Sequence, residues 1–415
     1  MSRSPRFPRR LEESLRTAGL VCGILIWSTY GFMMWTPTVL DRAGSVKGWD
    51  FSQFYVLGHL AAAGRPEALS DSHSLGERAT AFVSPTFQHS TIMPVYGPQI
   101  ALLFAPLAHW SYSAALAAWL IVSLALYAVC CIALWRACPD LAKQRVTTAI
   151  LAAGSPALFF LICYGQLSAV ALACVTAGFC ALRRGRRVLA GLALGTLIYK
   201  PQLAVAIAVV FLCAREWRMI AGGVAAVAAQ LGLAWAYAGT AAIRAYLDTL
   251  IHLNVVLPLI EEKRYLLQSL RSFFDLILPW PSAALAAYLL ASVGVLLWTW
   301  RIWQSEAPLS LRYSLLLFAT VLVSPHFYVY DLLILTPVWF LLADWLIRRP
   351  DAESWMPIAL CLALLYFVPL GGVVVARTWH VQPSVILLIV LIILISRHAV
   401  AAERPSASYQ VAKAL

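Results

Sequence analysis

Asp50 heads WDFSQFYVLGHLAAAG, a carboxylate followed by aromatic and small residues at helical spacing. A carboxylate held there could take a proton from a hydroxyl as a general base. It could equally cap its helix, with Gln53 completing a capping-box-like pair, and both readings stay open. Three further clusters carry polar groups: Tyr96 before Gly97-Pro98; Tyr199-Lys200-Pro201; and Ser324-Pro325-His326 with Tyr328, Tyr330 and Asp331. A fifth stretch supplies Lys263, Arg264, Gln268, Ser269 and Arg271. Such cations can neutralise phosphate, Arg through a bidentate fork and Lys as a point charge. Each group also has a plainer role. Lys200 can snorkel from a helix end. Arg264 and Arg271, seven apart and so predicted on one helix face, can meet lipid headgroups. Asp331 can be a first-turn acid, and His59, between Asp50 and Arg65, can be a packing residue.

The elements that position these groups are set by composition. Of 415 residues, 61% are hydrophobic and 12% charged, about half the charged content of a soluble domain. The chain is an all-α polytopic membrane protein. About twelve spans of roughly 20 apolar residues are predicted, beginning near Leu20, Ser113, Val146, Gln166, Val188, Gln202, Met219, Pro281, Arg312, Asp331, Trp355 and Pro383. The fifth and sixth are short and meet at Tyr199-Lys200-Pro201. The first apolar run, Leu20 to Leu40, follows a basic segment, is long, and lacks a small-x-small cleavage pattern, so it is expected to be an uncleaved anchor. The nine cysteines fall mostly in or beside apolar runs without a CxxC pair, which argues against disulfides and zinc.

The net charge of +12 has a topological explanation. With the N-terminus cytoplasmic, the basic loops RACPDLAKQR, RRGRR, REWR, RIWQSEAPLSLR and IRRPDAES share one side, and about 21 of the 31 Lys and Arg residues lie there. The opposite side is close to neutral. The basic excess therefore follows the positive-inside rule, and no nucleic-acid partner is expected. GPQIALLFAPLAHW is too short to span and has an internal proline, so it is expected to lie on the outer face. Two outer segments result, 41–110 and 240–280, with interfacial amphipathic helices expected in them within a single transmembrane domain, 1–415. All the polar clusters then share one side and could share one cavity. No internal repeat of the kind transporters carry is visible.

The ordered set of motifs resembles the bacterial GT-C type polytopic glycosyltransferases, in particular glycosyltransferase family 87, the polyprenyl-phosphate-mannose-dependent mannosyltransferase-like proteins. The resemblance rests on DFSQFYVLGHLAAAGRPEAL, VYGPQIALLFAPLAHW, YGQLSAVALACVTAGFCALRRGRRVLAGLALGTLIYKPQLAV and SPHFYVYDLLILTP, in that order from Asp50 to Pro337. Two departures stand out. Gly97 replaces the first proline of a Tyr-Pro-Pro motif, and Tyr330-Asp331 stands where many members have a His pair, with a His displaced to His326.

The resemblance implies a GT-C-like bundle and an inverting transfer of a hexose or pentose, with mannose favoured. The donor would be a polyprenyl phosphate, and the acceptor a lipid or glycan on the outer face of a bacterial inner membrane. Asp50 takes the role of base. A donor whose tail stays in the bilayer presents its anomeric carbon at the boundary, and its leaving phosphate needs cations. Lys200, Arg264, Arg271 and His326 are the candidates for that phosphate. His59, Arg65, Tyr96, Gln166, Ser269, Tyr330 and Asp331 are the expected cavity residues. No cofactor is implied. Asp50 with Asp331 is at best a weak pair for a divalent metal. The rival reading is a transporter or flippase of a lipid-linked or amphipathic substrate, which would place functional charges near the bilayer midplane.

Overall fold

The computed structural model describes residues 9–87, 92–252, 261, 263–349 and 352–401. In chain order its helices are α1 (Arg9–Met34), α2 (Trp49–Ala62), α3 (Ser72–Phe82), α4 (Pro98–Phe104), α5 (Tyr112–Ala137), α6 (Arg145–Ala153), α7 (Pro156–Tyr164), α8 (Ser168–Arg183), α9 (Arg187–Gly195), α10 (Val205–Cys213), α11 (Trp217–Ile251), α12 (Leu270–Ile277), α13 (Pro281–Gln304), α14 (Leu309–Val323), α15 (Thr336–Ile347), α16 (Ala352–Trp379) and α17 (Pro383–Ala401). Among the described residues, β-structure amounts to two isolated bridges, Leu40 with Val46 and Leu267 with Tyr328.

Among the described residues, seven helical segments are long and apolar enough to cross a membrane, and five shorter apolar helices accompany them. Eleven of the twelve predicted starts fall within three residues of where these segments begin, while the first segment begins ten residues before Leu20, at Arg10. Ile24, Ile121 and Leu290 are among the large apolar side chains left exposed. In a lipid-embedded bundle these positions face acyl chains. The centre is α14 and α15 with the 3-10 turn Val329–Leu335 between them, whose residues are almost all buried.

The short helices matter most, because their broken ends bring polar groups inside. The arm Arg187–Tyr199 rises about 20 Å, against about 30 Å of bilayer hydrocarbon. Starting from the RRGRR loop, it stops short and leaves Lys200 between two 3-10 turns, only 4% exposed. Similarly, α7 ends at Gly165, which has φ 67° and delivers Gln166 into the interior. A Cβ at Gly165 would lie 2.7 Å from the Phe51 Cβ. Gly165→Ala is therefore expected to destabilise the protein by about 1–2 kcal/mol through the left-handed backbone alone, with the clash adding to it. Gly232→Ala, inside α11 where a Cβ meets nothing within 4 Å, is the control that should not lower the thermal unfolding temperature in detergent.

The first outer segment differs from expectation. Rather than lying amphipathically on a surface, α2 is buried along most of its length, including Phe51, Phe54, Leu57 and Leu60. It is covered by α4 and the following 3-10 turn Ala105–His109. The helices come close because Gly58 has no side chain: a Cβ there would sit 2.5 Å from the Phe104 carbonyl oxygen. At the start of the second segment the helical backbone breaks at Gly239, with φ 73° and ψ 175°, and a further helical stretch runs on to Ile251.

Candidate active site

Asp50 is the second residue of α2 and does not cap it. The N-cap is Gly48, in the left-handed region with φ 62°, and Gln53 donates to the Met93 carbonyl instead. The capping alternative is thus removed, and the carboxylate is turned toward α7, α8 and the Val329–Leu335 turn. Gln166 Nε2 donates to Asp50 Oδ2 at 2.7 Å and reaches the Tyr330 hydroxyl at 3.2 Å. Gln166 Oε1 accepts from the Leu167 N–H at 3.0 Å. That bond sets the amide orientation, so the NH₂ group faces the carboxylate.

Behind this pair lies a buried ion pair. Lys200 Nζ is 2.7 Å from both oxygens of Asp331. Ser168 Oγ donates to Asp331 Oδ1 at 2.7 Å, and the Tyr328 N–H to Oδ2 at 3.3 Å. Asp331 is wholly buried, so its charge is met from three elements. It keeps the first-turn role read from sequence and acquires a second. Lys200 also sits 5.1 Å from the centre of the Tyr330 ring, near enough for a cation–π contact. Tyr330 in turn is flanked by Tyr328, stacked at 5.4 Å, and by Tyr164. The site is thus a chain from Asp50 through Gln166 to Tyr330, backed by Lys200 and Asp331.

These surroundings bear on the acidity of Asp50. Burial, the largest influence, pushes its pKa above the usual carboxylate range; hydrogen bonds from Gln166 and Tyr330 and the Lys200 charge pull it back, while Asp331 opposes them. The residue keeps partial exposure. Tyr96 is driven to a higher pKa, first by burial and then by Asp50 and Asp331, and packs edge-on to Phe54.

Other candidates fall elsewhere. Helical rise puts His59 about 13 Å along α2 from Asp50. Its ring stacks on Phe82 at 4.5 Å, and burial lowers its pKa. Arg65 is exposed and pairs with Glu67. Arg264 and Arg271 do not share a helix face: Arg264 is exposed in a 3-10 turn, Leu267 is extended where it bridges to Tyr328, and Arg271 belongs to the separate helix α12. Ser269 is buried at the N-cap of α12.

Arg271 and His326 do come together, through a residue the sequence did not single out. Glu261, 2% exposed, accepts from Arg271 Nη2 at 3.1 Å and lies 2.7 Å from His326 Nδ1. Arg271 also reaches the Pro325 carbonyl. The Gln268 N–H to Phe327 carbonyl bond of 2.7 Å ties α12 to this turn. His326 lies tilted against Tyr328 with ring centres 5.0 Å apart, so a run of contacts leads from Glu261 through His326 and Tyr328 to Tyr330. Ser168 was likewise missed. Its position two residues after Gln166, at a helix start, was the available signal.

An all-α polytopic bundle with a carboxylate presented beside buried, mutually satisfied polar groups defines a membrane protein built around one polar site. The family model for glycosyltransferase family 87 matches residues 95–325, more than half of the chain, and the chain belongs to that family. The matched residues take in Tyr96, Gln166, Lys200 and Arg271, and leave Asp50, His326, Tyr330 and Asp331 outside. No curated protein and no solved structure matches the chain.

Proposed function

We propose that this glycosyltransferase moves a hexose or pentose, mannose-like by preference, from a polyprenyl-phosphate donor to a lipid or glycan acceptor on the extracytoplasmic face of a bacterial inner membrane. The observation that carries the reading is Asp50, a partly exposed carboxylate held by Gln166, while Asp331, its acidic neighbour, is spent on Lys200 and Ser168. One available carboxylate suits a single displacement. The acceptor hydroxyl gives its proton to Asp50 as its oxygen bonds to the anomeric carbon. The bond from that carbon to the phosphate oxygen breaks, and the electron pair leaves with the polyprenyl phosphate. The product is therefore inverted.

Cations for the leaving phosphate are Lys200, Arg264, Arg271 and His326. The structure holds Lys200 on Asp331, and Arg271 and His326 on Glu261. Phosphate binding by these three then requires sharing with those carboxylates, while Arg264 is exposed. The charge asymmetry of the loops supports an extracytoplasmic position for Asp50. Mass spectrometry of lipids and glycans from a deletion strain should show one envelope glycolipid or glycan lacking a sugar, with the polyprenyl-phosphate donor accumulating. An unchanged glycan profile with a lipid-linked intermediate trapped intact would instead favour the flippase.

Gln166 offers a test of how Asp50 is held. Removing its hydrogen bond in Gln166→Leu leaves burial less opposed, so the Asp50 pKa rises further. The acidic limb of the pH–rate profile, where activity falls as pH drops through that pKa, should move to higher pH. An unmoved limb in a folded variant contradicts the assignment.

A further inference from the structure

A cavity lies away from Asp50, at the end of the bundle that carries the basic loops, lined mainly by α1, α6, α15 and α16. Most of its wall is apolar, with Leu15, Leu151, Trp339, Leu362 and Phe367 among the lining. Tyr127 and Tyr366 also line it, but their hydroxyls are spent on the carbonyls of Ala152 and Leu151. A methylene chain suits such a wall. Polar groups gather where α1 and α6 begin. There Glu12 accepts from Thr147 Oγ1 at 3.1 Å. Beside it Gln144 is 5% exposed, yet its Nε2 has no hydrogen-bond partner among the described residues. A buried donor left unpaired is unfavourable, and a ligand acceptor at this place would satisfy it. The exposed Arg145 follows Gln144 directly, and the exposed Arg10 precedes Leu11 of the cavity wall.

We propose that this cavity binds a membrane phospholipid with a primary-amine headgroup. One acyl chain runs along the apolar wall. The phosphate and ester oxygens accept from Gln144 beside Arg145, and the ammonium meets Glu12. A donor, a cation and a carboxylate at one mouth match a zwitterion. A purely anionic headgroup could use Arg145 but would bring no positive group to meet Glu12. The site is independent of Asp50 and of the sugar chemistry proposed above.

The test uses the full chain in lipid discs holding equal phosphatidylethanolamine and phosphatidylglycerol, released into mild detergent and weighed by native mass spectrometry. One phospholipid should remain bound per chain, with the ethanolamine lipid enriched about fivefold, the value of one modest charge contact. Ala363→Trp, which fills the cavity, should lose the adduct. Thr148→Phe serves if that variant does not fold. Glu12→Gln should keep the adduct and lose the headgroup preference. No adduct on the wild-type protein, an adduct that survives filling of the cavity, equal retention of both headgroups, or a bound prenyl phosphate in place of a phospholipid would each overturn the proposal.

Discussion

Asp50→Asn is expected to lower the transfer rate by at least about 100-fold, the usual contribution of a positioned general base, while the protein stays folded. The amide oxygen can still accept from Gln166 Nε2, so the contact that holds Asp50 survives in kind. Stability should not fall at neutral pH, and the sign can be worked out. Burial raises the Asp50 pKa in the fold, so the stabilising contribution of this group is present at low pH and lost as pH rises through the folded value. Above that value the ionised carboxylate weakens the fold, and Asn removes that penalty. A scan of melting temperature against pH should show the variant equal to or above wild type near neutrality. A variant that transfers sugar at the wild-type rate removes Asp50 from the role of base.

The second large effect concerns the pair behind the site. Lys200→Met leaves the carboxylate of Asp331 wholly buried without its cation. Breaking a buried pair from one side costs about 3–5 kcal/mol, so the single variant should unfold at markedly lower temperature or fail to accumulate. Lys200→Met with Asp331→Leu removes both charges and should recover much of that loss. The double variant also separates two roles of Lys200. If the lysine only holds Asp331 and Tyr330 in place, the refolded double variant keeps measurable transfer and near-normal affinity for the donor. If it shares the donor phosphate, donor KM rises steeply even though the fold is restored. Recovery of neither stability nor expression in the double variant would mean the pair is not a self-contained unit.

Much of this architecture is written in hydropathy. The twelve helix starts are legible because each apolar run is bounded by charge or proline, as at Arg183-Arg184-Gly185-Arg186-Arg187 and Pro281. The shortness of the arms around Lys200 is legible too, and it turned out to be the device that carries a lysine inward. What the sequence could not show was partnership. Lys200 and Asp331 are 131 residues apart, and nothing local distinguishes a snorkelling lysine from a paired one. The same holds for Gln166, whose two contacts come from α2 and from the turn after α14.

Three places depart from what local sequence implies, each for a physical reason. Gly48 takes the N-cap with a positive φ, which leaves Asp50 two positions inside the cap and frees it from capping. The seven-residue spacing of Arg264 and Arg271 implies a shared face only if the helix is continuous, and Leu267 breaks it to bridge Tyr328. The α2 stretch carries Ser52, Gly58 and Ala61 between its large residues. Such small side chains suit a helix packed on several sides as well as one lying on a surface, and here they are buried. The Ala-Gly-x-x-x-Gly run is equally a packing feature, since a Cβ on Gly191 would lie 1.9 Å from the Met219 carbonyl oxygen of α11.

The most direct test of the central claim is turnover by the purified protein in liposomes, with polyprenyl-phosphate mannose as the sole donor and a lipid extract of the source membrane as acceptor. The expected result is release of one polyprenyl phosphate per sugar transferred and a product whose anomeric configuration, read by NMR, is inverted relative to the donor. Labelled donor recovered intact in the opposite leaflet, with no polyprenyl phosphate released, would contradict it.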